Sequence, residues 1–134
     1  MNDFMYYNPV RVHFGADAMS HLPEELGKFG ANVLLTYGGG SIKRTGLYDR
    51  VIDALRAAGK NVYELSGIMP NPRTEKVYEG IDLCRTHKID LILAVGGGST
   101  IDCSKAVAVG ASAEGDFWEK FYVNWETAET GIPL

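Results

Sequence analysis

Short aliphatic runs alternate along this chain with longer stretches whose apolar positions recur every three or four residues. Val33 to Thr36 is a short β-branched and aliphatic run, and Val62 to Leu65 and Leu91 to Val95 also read as strands. The last is apolar throughout, as strands are when both faces of a parallel sheet are covered. Between them, Leu47, Val51, Leu55 and Ala58 fall on one face of a helix that Gly59 ends, and Val77, Ile81 and Cys84 mark a helix from about Thr74 to Lys88. A further helix begins near Ser99 and carries Ile101, Ala106 and Val109 before Gly110 and Gly115 loosen the chain. Upstream, Asp17 to Phe29 reads as helical around Leu22 and Leu26, with Pro23 able to open a second helical piece. Val10 to Phe14 alternates with period two and predicts a half-exposed strand. Near the end, Phe117, Phe121 and Trp125 stand at i, i+4 and i+8, the spacing of a buried helix face, with a wall beside a substrate as the alternative.

Strands alternating with helices through short connectors predict an α/β domain with a parallel sheet and right-handed crossovers. Two of the predicted strands end in the same tetrapeptide, Gly38-Gly39-Gly40-Ser41 and Gly96-Gly97-Gly98-Ser99. Ligands of such sheets bind beyond the carboxyl ends of the strands, where both runs fall. Three consecutive glycines offer positive φ angles and close backbone approach at an entropic cost, which a phosphate would use and a mere connector would not need. A helix starting just after each turn would aim its unpaired N–H groups and positive dipole end at an anion there. Neither run matches the G-x-G-x-x-G dinucleotide pattern, because Ser99, Thr100 and Ile101 follow Gly98.

The 134 residues suit one domain with a single core. A net charge of −4, with Lys and Arg scattered, argues against a nucleic-acid partner. No run of eighteen apolar residues is present, and Met1-Asn2-Asp3-Phe4-Met5 lacks the basic start of a signal peptide, so a cytoplasmic protein with no membrane partner is expected. Cys84 and Cys103 have no metal-ligand spacing and read as core thiols in a reducing compartment.

The string Gly96-Gly97-Gly98-Ser99-Thr100-Ile101-Asp102-Cys103-Ser104-Lys105 resembles the G-G-G-S-x-x-D-x-x-K signature of iron-containing alcohol dehydrogenases. The Asn8-Pro9 to Phe14-Gly15 segment, the turn from Tyr37 to Lys43 and the Pro70-Asn71-Pro72 loop match the same family in the same order, nearest to its butanol dehydrogenase and NADPH-dependent aldehyde reductase branch. The resemblance covers essentially the whole chain. It implies the Rossmann-like N-terminal nucleotide-binding domain of a two-domain enzyme that interconverts small alcohols and aldehydes by hydride transfer. It places the cofactor pyrophosphate against Gly97, Gly98 and Ser99, gives Asn71 a part in seating the cofactor, and puts Asp102 near the nicotinamide. Plainer readings stand beside these. Asn71 between prolines is also a turn former. Asp102 in a first helical turn is favoured by the dipole with or without a ligand. Lys105 pairs with Asp102 on one helical face.

The same resemblance sets Gly38 where relatives that prefer NAD carry an acid, and a carboxylate there would repel a 2′-phosphate. The turn of Gly38 and Gly39 instead offers Ser41 as a neutral partner and Lys43 or Arg44 as a cation, which suits NADP over NAD. A charge-assisted hydrogen bond of this kind is worth about 1.5–3 kcal/mol. The family also implies a divalent metal, iron or zinc, held by one Asp and three His in a C-terminal helical domain outside these residues. His13, His21 and His87 have no i, i+4 pairing, and none is assigned to metal; His87 near a helix C-terminus fits a dipole contact. Relatives of this kind are often dimers, which suggests that the strand from Val10 to Phe14 pairs with its counterpart in a second subunit. Ile132-Pro133-Leu134 reads as the approach to another strand, so residues 1–134 are expected to be a truncated dinucleotide-binding domain, inactive alone and with an exposed sheet edge. Two alternatives stay open: a non-catalytic nucleotide-binding module, and a relative of the glycerol or polyol dehydrogenases.

Overall fold

The computed structural model describes residues 3–71 and 73–134; Met1, Asn2 and Pro72, which enter the leader and loop readings above, lie outside the described residues. A 3-10 turn, Ala18–His21, leads into α1 (Leu22–Leu26), β1 (Asn32–Tyr37), α2 (Ser41–Arg44) and α3 (Leu47–Ala57). Then follow β2 (Asn61–Leu65), α4 (Thr74–His87), β3 (Leu91–Val95), α5 (Gly98–Ser112) and a π-type turn, Glu119–Val123. The strands form one parallel sheet in the order β2-β1-β3, with Val33 opposite both Val62 and Leu91.

β1 is the centre of the molecule because its alternating side chains serve two cores. Leu34 joins Leu65 and Ile92 against Val77, Ile81 and Cys84 of α4 and Cys103 and Val107 of α5. Val33, Leu35 and Tyr37 point the other way and meet Leu26, Ile42, Val51 and Leu55 from α1, α2 and α3. The sheet therefore carries helices on both faces, the α/β architecture that the alternation predicts. Gly59 ends α3 as expected, at φ 71°, a left-handed conformation that glycine adopts without strain. The 3-10 turn gives way to α1 at Leu22, so that Pro23 stands in a first turn where its missing N–H costs nothing. Both cysteines are buried, and burial pushes the Cys84 thiol up to about 12 and Cys103 upward as well.

Three expectations are corrected. Val10 to Phe14 forms no strand, since among the described residues no neighbouring strand is there to take its backbone hydrogen bonds, and the Phe14 side chain is fully exposed. The segment is pinned instead by Arg11 and His13, at 2.9 and 3.1 Å from Glu25 of α1, and His13 stacks on His21. On α5, Ile101 faces solvent while Thr100, Cys103, Ser104 and Val107 are buried, so the inward face includes hydroxyls that an apolar count overlooks. Third, the face of Phe117, Phe121 and Trp125 breaks. Asn124 N–H bonds to Glu119 O in a wide π-type turn, Trp125 takes φ 55° beyond it, and Trp125 is 85% exposed. Phe117 remains buried against the edge of Tyr78, and Trp118 stacks on Tyr122 at 4.8 Å.

The last residues run beside the outer edge of β3: Ile92 N–H donates to Pro133 O at 2.8 Å, and Ile132 N–H to Ala108 O at 3.1 Å. Among the described residues no helix is long and apolar enough to cross a membrane.

Two outcomes follow for stability. A Cβ on Gly80 of α4 would sit 2.6 Å from Val107 Cγ2 and 2.9 Å from Leu65 Cδ2. Gly80→Ala should therefore destabilise by about 1–3 kcal/mol in urea denaturation, although alanine gains roughly 1 kcal/mol in helix propensity. Hydrogen bonds from Lys28, His13 and Arg11 hold the Glu25 carboxyl at about 2, below its ordinary 4.5. A depressed folded-state pKa stabilises above the unfolded value and is lost as pH falls through the folded one. The anchored segment should thus release between about pH 4.5 and 2, read as loss of His13–His21 cross-peaks by NMR, and Glu25→Gln should release it already at neutral pH.

Candidate functional site

Because the three strands are parallel, their carboxyl ends share one side of the sheet, and the two glycine turns follow β1 and β3 there. None of the glycines in either triplet has a positive φ, so the conformational reason expected for them does not apply. Close approach is the reason at Gly38 and Gly96. A Cβ on Gly38 would lie 3.0 Å from Ile68 O, and one on Gly96 would lie 2.6 Å from Thr100 Oγ1. The loop after β2 is drawn over the first turn by hydrogen bonds from Gly67 N–H to Gly38 O at 2.9 Å and from Ile68 N–H to Tyr37 O at 3.3 Å.

At Gly39, Gly97 and Gly98 the opposite holds: a Cβ would meet no atom within 4 Å. Here the bare backbone borders open space, a cradle that any side chain would fill. Gly98 opens α5, Gly97 is its N-cap, and no side chain caps that end. The first-turn amides of Gly98, Ser99 and Thr100 thus lack intrahelical acceptors at the positive end of a fifteen-residue helix. A pyrophosphate fits this donor set, since it needs several N–H groups and close backbone approach rather than a particular side chain.

The helix behind this cradle is tied to β1 by a buried hydroxyl chain. Ser104 Oγ donates to Thr100 O at 2.7 Å, which leaves Thr36 Oγ1 to donate to Ser104 Oγ, also at 2.7 Å. Thr36 and Ser104 are wholly buried, so each hydroxyl is satisfied only by this arrangement. The link fixes the second glycine turn relative to the first.

Of the other residues singled out, Ser41 opens α2 and Lys43 lies on it, both exposed beside the first turn. Lys43 Nζ is 4.8 Å from the ring centre of Tyr48 and 5.5 Å from that of Tyr37. Arg44 Nη1 lies 3.1 Å from where a Cβ on Gly40 would be, so its guanidinium folds back over the same turn. Asn71 stands in the loop between β2 and α4 at φ 54°, a left-handed conformation that Asn tolerates better than most residues. Asp102 falls just beyond the first turn of α5, because the helix starts at Gly98, earlier than the sequence suggests; the first-turn dipole reading is thereby corrected. It pairs with Lys105 at 3.7 Å, both largely in solvent, a contact worth a few tenths of a kcal/mol. Together they border a cavity of about 580 Å³ walled by Phe117, Phe121 and Tyr122. His87 ends α4 and stacks on Tyr63 at 3.9 Å. Among the described residues no group of three or more His, Cys, Asp or Glu is placed to hold a metal ion, so no step through a metal is derived from this chain.

Sequence reasoning missed Ile68, Thr36, Ser104, Tyr48 and Glu64. The i, i+4 spacing of Thr100 and Ser104 was the available signal for a polar inward face; the partners on β1 and β2 are distant in sequence and left none.

An α/β nucleotide-binding type of sheet with two glycine turns at its carboxyl edge is thus on view, and comparison with known proteins makes the class specific. Residues 9–134 match the family described as iron-containing alcohol dehydrogenase, and the chain belongs to that family. A Bacillus subtilis protein named "Probable NADH-dependent butanol dehydrogenase 1" is 55% identical over 119 residues, 89% of this chain and 31% of the relative. The NADPH-dependent aldehyde reductase YqhD of Escherichia coli is 40% identical over 136 residues, spanning 100% of this chain and 34% of its own length. The crystal structure of an NADH-dependent butanol dehydrogenase A from Thermotoga maritima superposes with a TM-score of 0.91 at 40% identity, covering 99% of this chain and 33% of that one. The chain spans about a third of the length of the relatives it matches, in their N-terminal part.

Ser104→Ala leaves the buried Thr36 hydroxyl without its acceptor and should cost about 1–3 kcal/mol in urea denaturation. Thr36→Val combined with Ser104→Ala should cost less than the sum of the single changes, which a double-mutant cycle measures.

Proposed function

We propose that residues 1–134 are a dinucleotide-binding domain that seats NADP(H) across the ends of β1 and β3, as the cofactor part of an oxidoreductase acting on small alcohols and aldehydes. The observation that carries this reading is the uncapped N-terminus of α5 with bare glycine backbone facing open space. The amides of Gly97, Gly98 and Ser99 bind the pyrophosphate. The turn of Gly38, Gly39 and Ser41 receives the adenosine ribose, Asn71 steadies the cofactor from the loop after β2, and Asp102 stands toward the nicotinamide end. The bound nicotinamide supplies the hydride acceptor for an alcohol, or the donor for an aldehyde.

The preference for NADP over NAD rests on the first turn, where no carboxylate occurs from Gly38 to Arg44 and two cations, Lys43 and Arg44, gather. Relatives carry names with either cofactor, NADH in the Bacillus protein and NADPH in YqhD, so the choice is a property of local side chains rather than of the fold. A divalent metal, iron or zinc, belongs in this reading to residues outside the 134, and this chain alone is expected to show no turnover of butanol. The free, buried thiols suit a cytoplasmic setting. Exposed apolar side chains at Phe4, Met5, Val10, Val12 and Phe14 favour a homodimer joined through this segment.

Calorimetric titration at fixed ionic strength tests the reading: NADPH should bind about tenfold or more tightly than NADH. Gly98→Val adds a side chain where the protein itself offers no clash, so the fold should persist while binding of both cofactors falls roughly tenfold or more. Retained binding in that variant would remove the pyrophosphate from α5.

A further inference from the structure

We propose that Tyr37, Tyr48 and Glu64 form a platform that positions the Lys43 ammonium beside the first glycine turn, and so set how strongly this chain prefers a 2′-phosphorylated adenosine. The inference rests on the cofactor reading above and adds the residues that act through Lys43.

A lysine on a short exposed helix ordinarily keeps its four-carbon stem in many rotamers, and an anion that recruits it must first order it. Here the ordering is built in. The ammonium lies over two rings, 4.8 Å from the centre of Tyr48 and 5.5 Å from that of Tyr37. Cations are attracted to such faces by the ring quadrupole. The rings brace each other edge to face at 5.7 Å and 65°. Tyr37 is 4% exposed and packed in the core, as the last residue of β1 before Gly38.

Glu64 locks the pair from β2. Tyr37 Oη donates to Glu64 Oε1 at 3.0 Å, and the nearby Glu64 carboxylate, with burial, pushes Tyr48 up to about 12. The Tyr37 ring is thereby held in one orientation, and Tyr48 packs edge to face against it. Register brings the acid there, since Glu64 pairs with Leu35, two residues before Tyr37. Among the described residues Lys43 makes no ion pair, so its charge is held in place yet left for an incoming anion. Preorganisation of this kind strengthens binding by removing an ordering cost rather than by adding a contact.

The test titrates the 134-residue chain with 2′,5′-ADP and with 5′-AMP, which differ only in the 2′-phosphate, and reads the ratio of affinities. Lys43→Ala should lower the ratio about tenfold. Tyr48→Leu and Glu64→Ala should lower it about three- to tenfold, with 5′-AMP affinity unchanged as the sign of an intact fold. Tyr48→Phe keeps the ring and should retain most of the ratio. Glu64→Gln keeps an acceptor while removing a negative charge and should hold or raise it. If Lys43→Ala lowers the ratio but Tyr48→Leu and Glu64→Ala leave it unchanged, the platform is overturned and the cofactor reading stands. If Lys43→Ala changes nothing, Lys43 is not the 2′-phosphate cation and the platform is overturned, while the cofactor reading stands with Arg44 as the cation. Failure of the parent chain to bind either nucleotide overturns both readings.

Discussion

A strand buried on both faces leaves no side chain free of packing and no backbone group free of pairing, and β1 is under that constraint from Val33 to Tyr37. β2 and β3 take its hydrogen bonds on either side, while its odd and even residues anchor two separate cores. The first glycine turn begins where β1 ends. Its position is therefore set by the best-determined strand in the molecule, and every group that approaches it does so against a fixed backbone.

Polar side chains in this setting are informative because burial makes them costly unless they are satisfied. Thr36 is wholly buried in β1, so its hydroxyl must find a hydrogen bond within a core, and it finds Ser104 on α5. That pairing couples the strand before one glycine turn to the helix after the other, so the two turns behave as one construction. The glycines divide accordingly. Gly38 and Gly96 are small because protein atoms crowd them, whereas Gly39, Gly97 and Gly98 are bare toward open space. Only the second group has a shape that a ligand explains.

Membership of the iron-containing alcohol dehydrogenase family and the Rossmann-like architecture frame these details without deciding them. Relatives named for NADH and for NADPH share the family, so membership alone does not choose between the two cofactors. Beside the first glycine turn this chain carries Lys43 and Arg44, and Tyr37, one of the two rings beneath Lys43, is braced by a carboxylate from a different strand. Such an arrangement shows how a surface lysine can acquire a defined position without an ion pair.

Periodicity alone determined the strand and helix order, because amphipathic repeats and glycine or proline punctuation are local properties; β3 falls where its apolar run predicts, and α3 and α4 end within a residue of their expected limits. The motif of Gly96 to Lys105 likewise carried the family. What the sequence left open depended on partners distant along the chain. Whether Val10 to Phe14 is a strand depends on a neighbour that the described residues do not supply, and Thr36 of β1 meets the polar part of the inward face of α5. The Tyr37, Tyr48 and Glu64 cluster exists only because β1 and β2 pair in one register. Local patterns encode elements; register and packing decide which side chains meet.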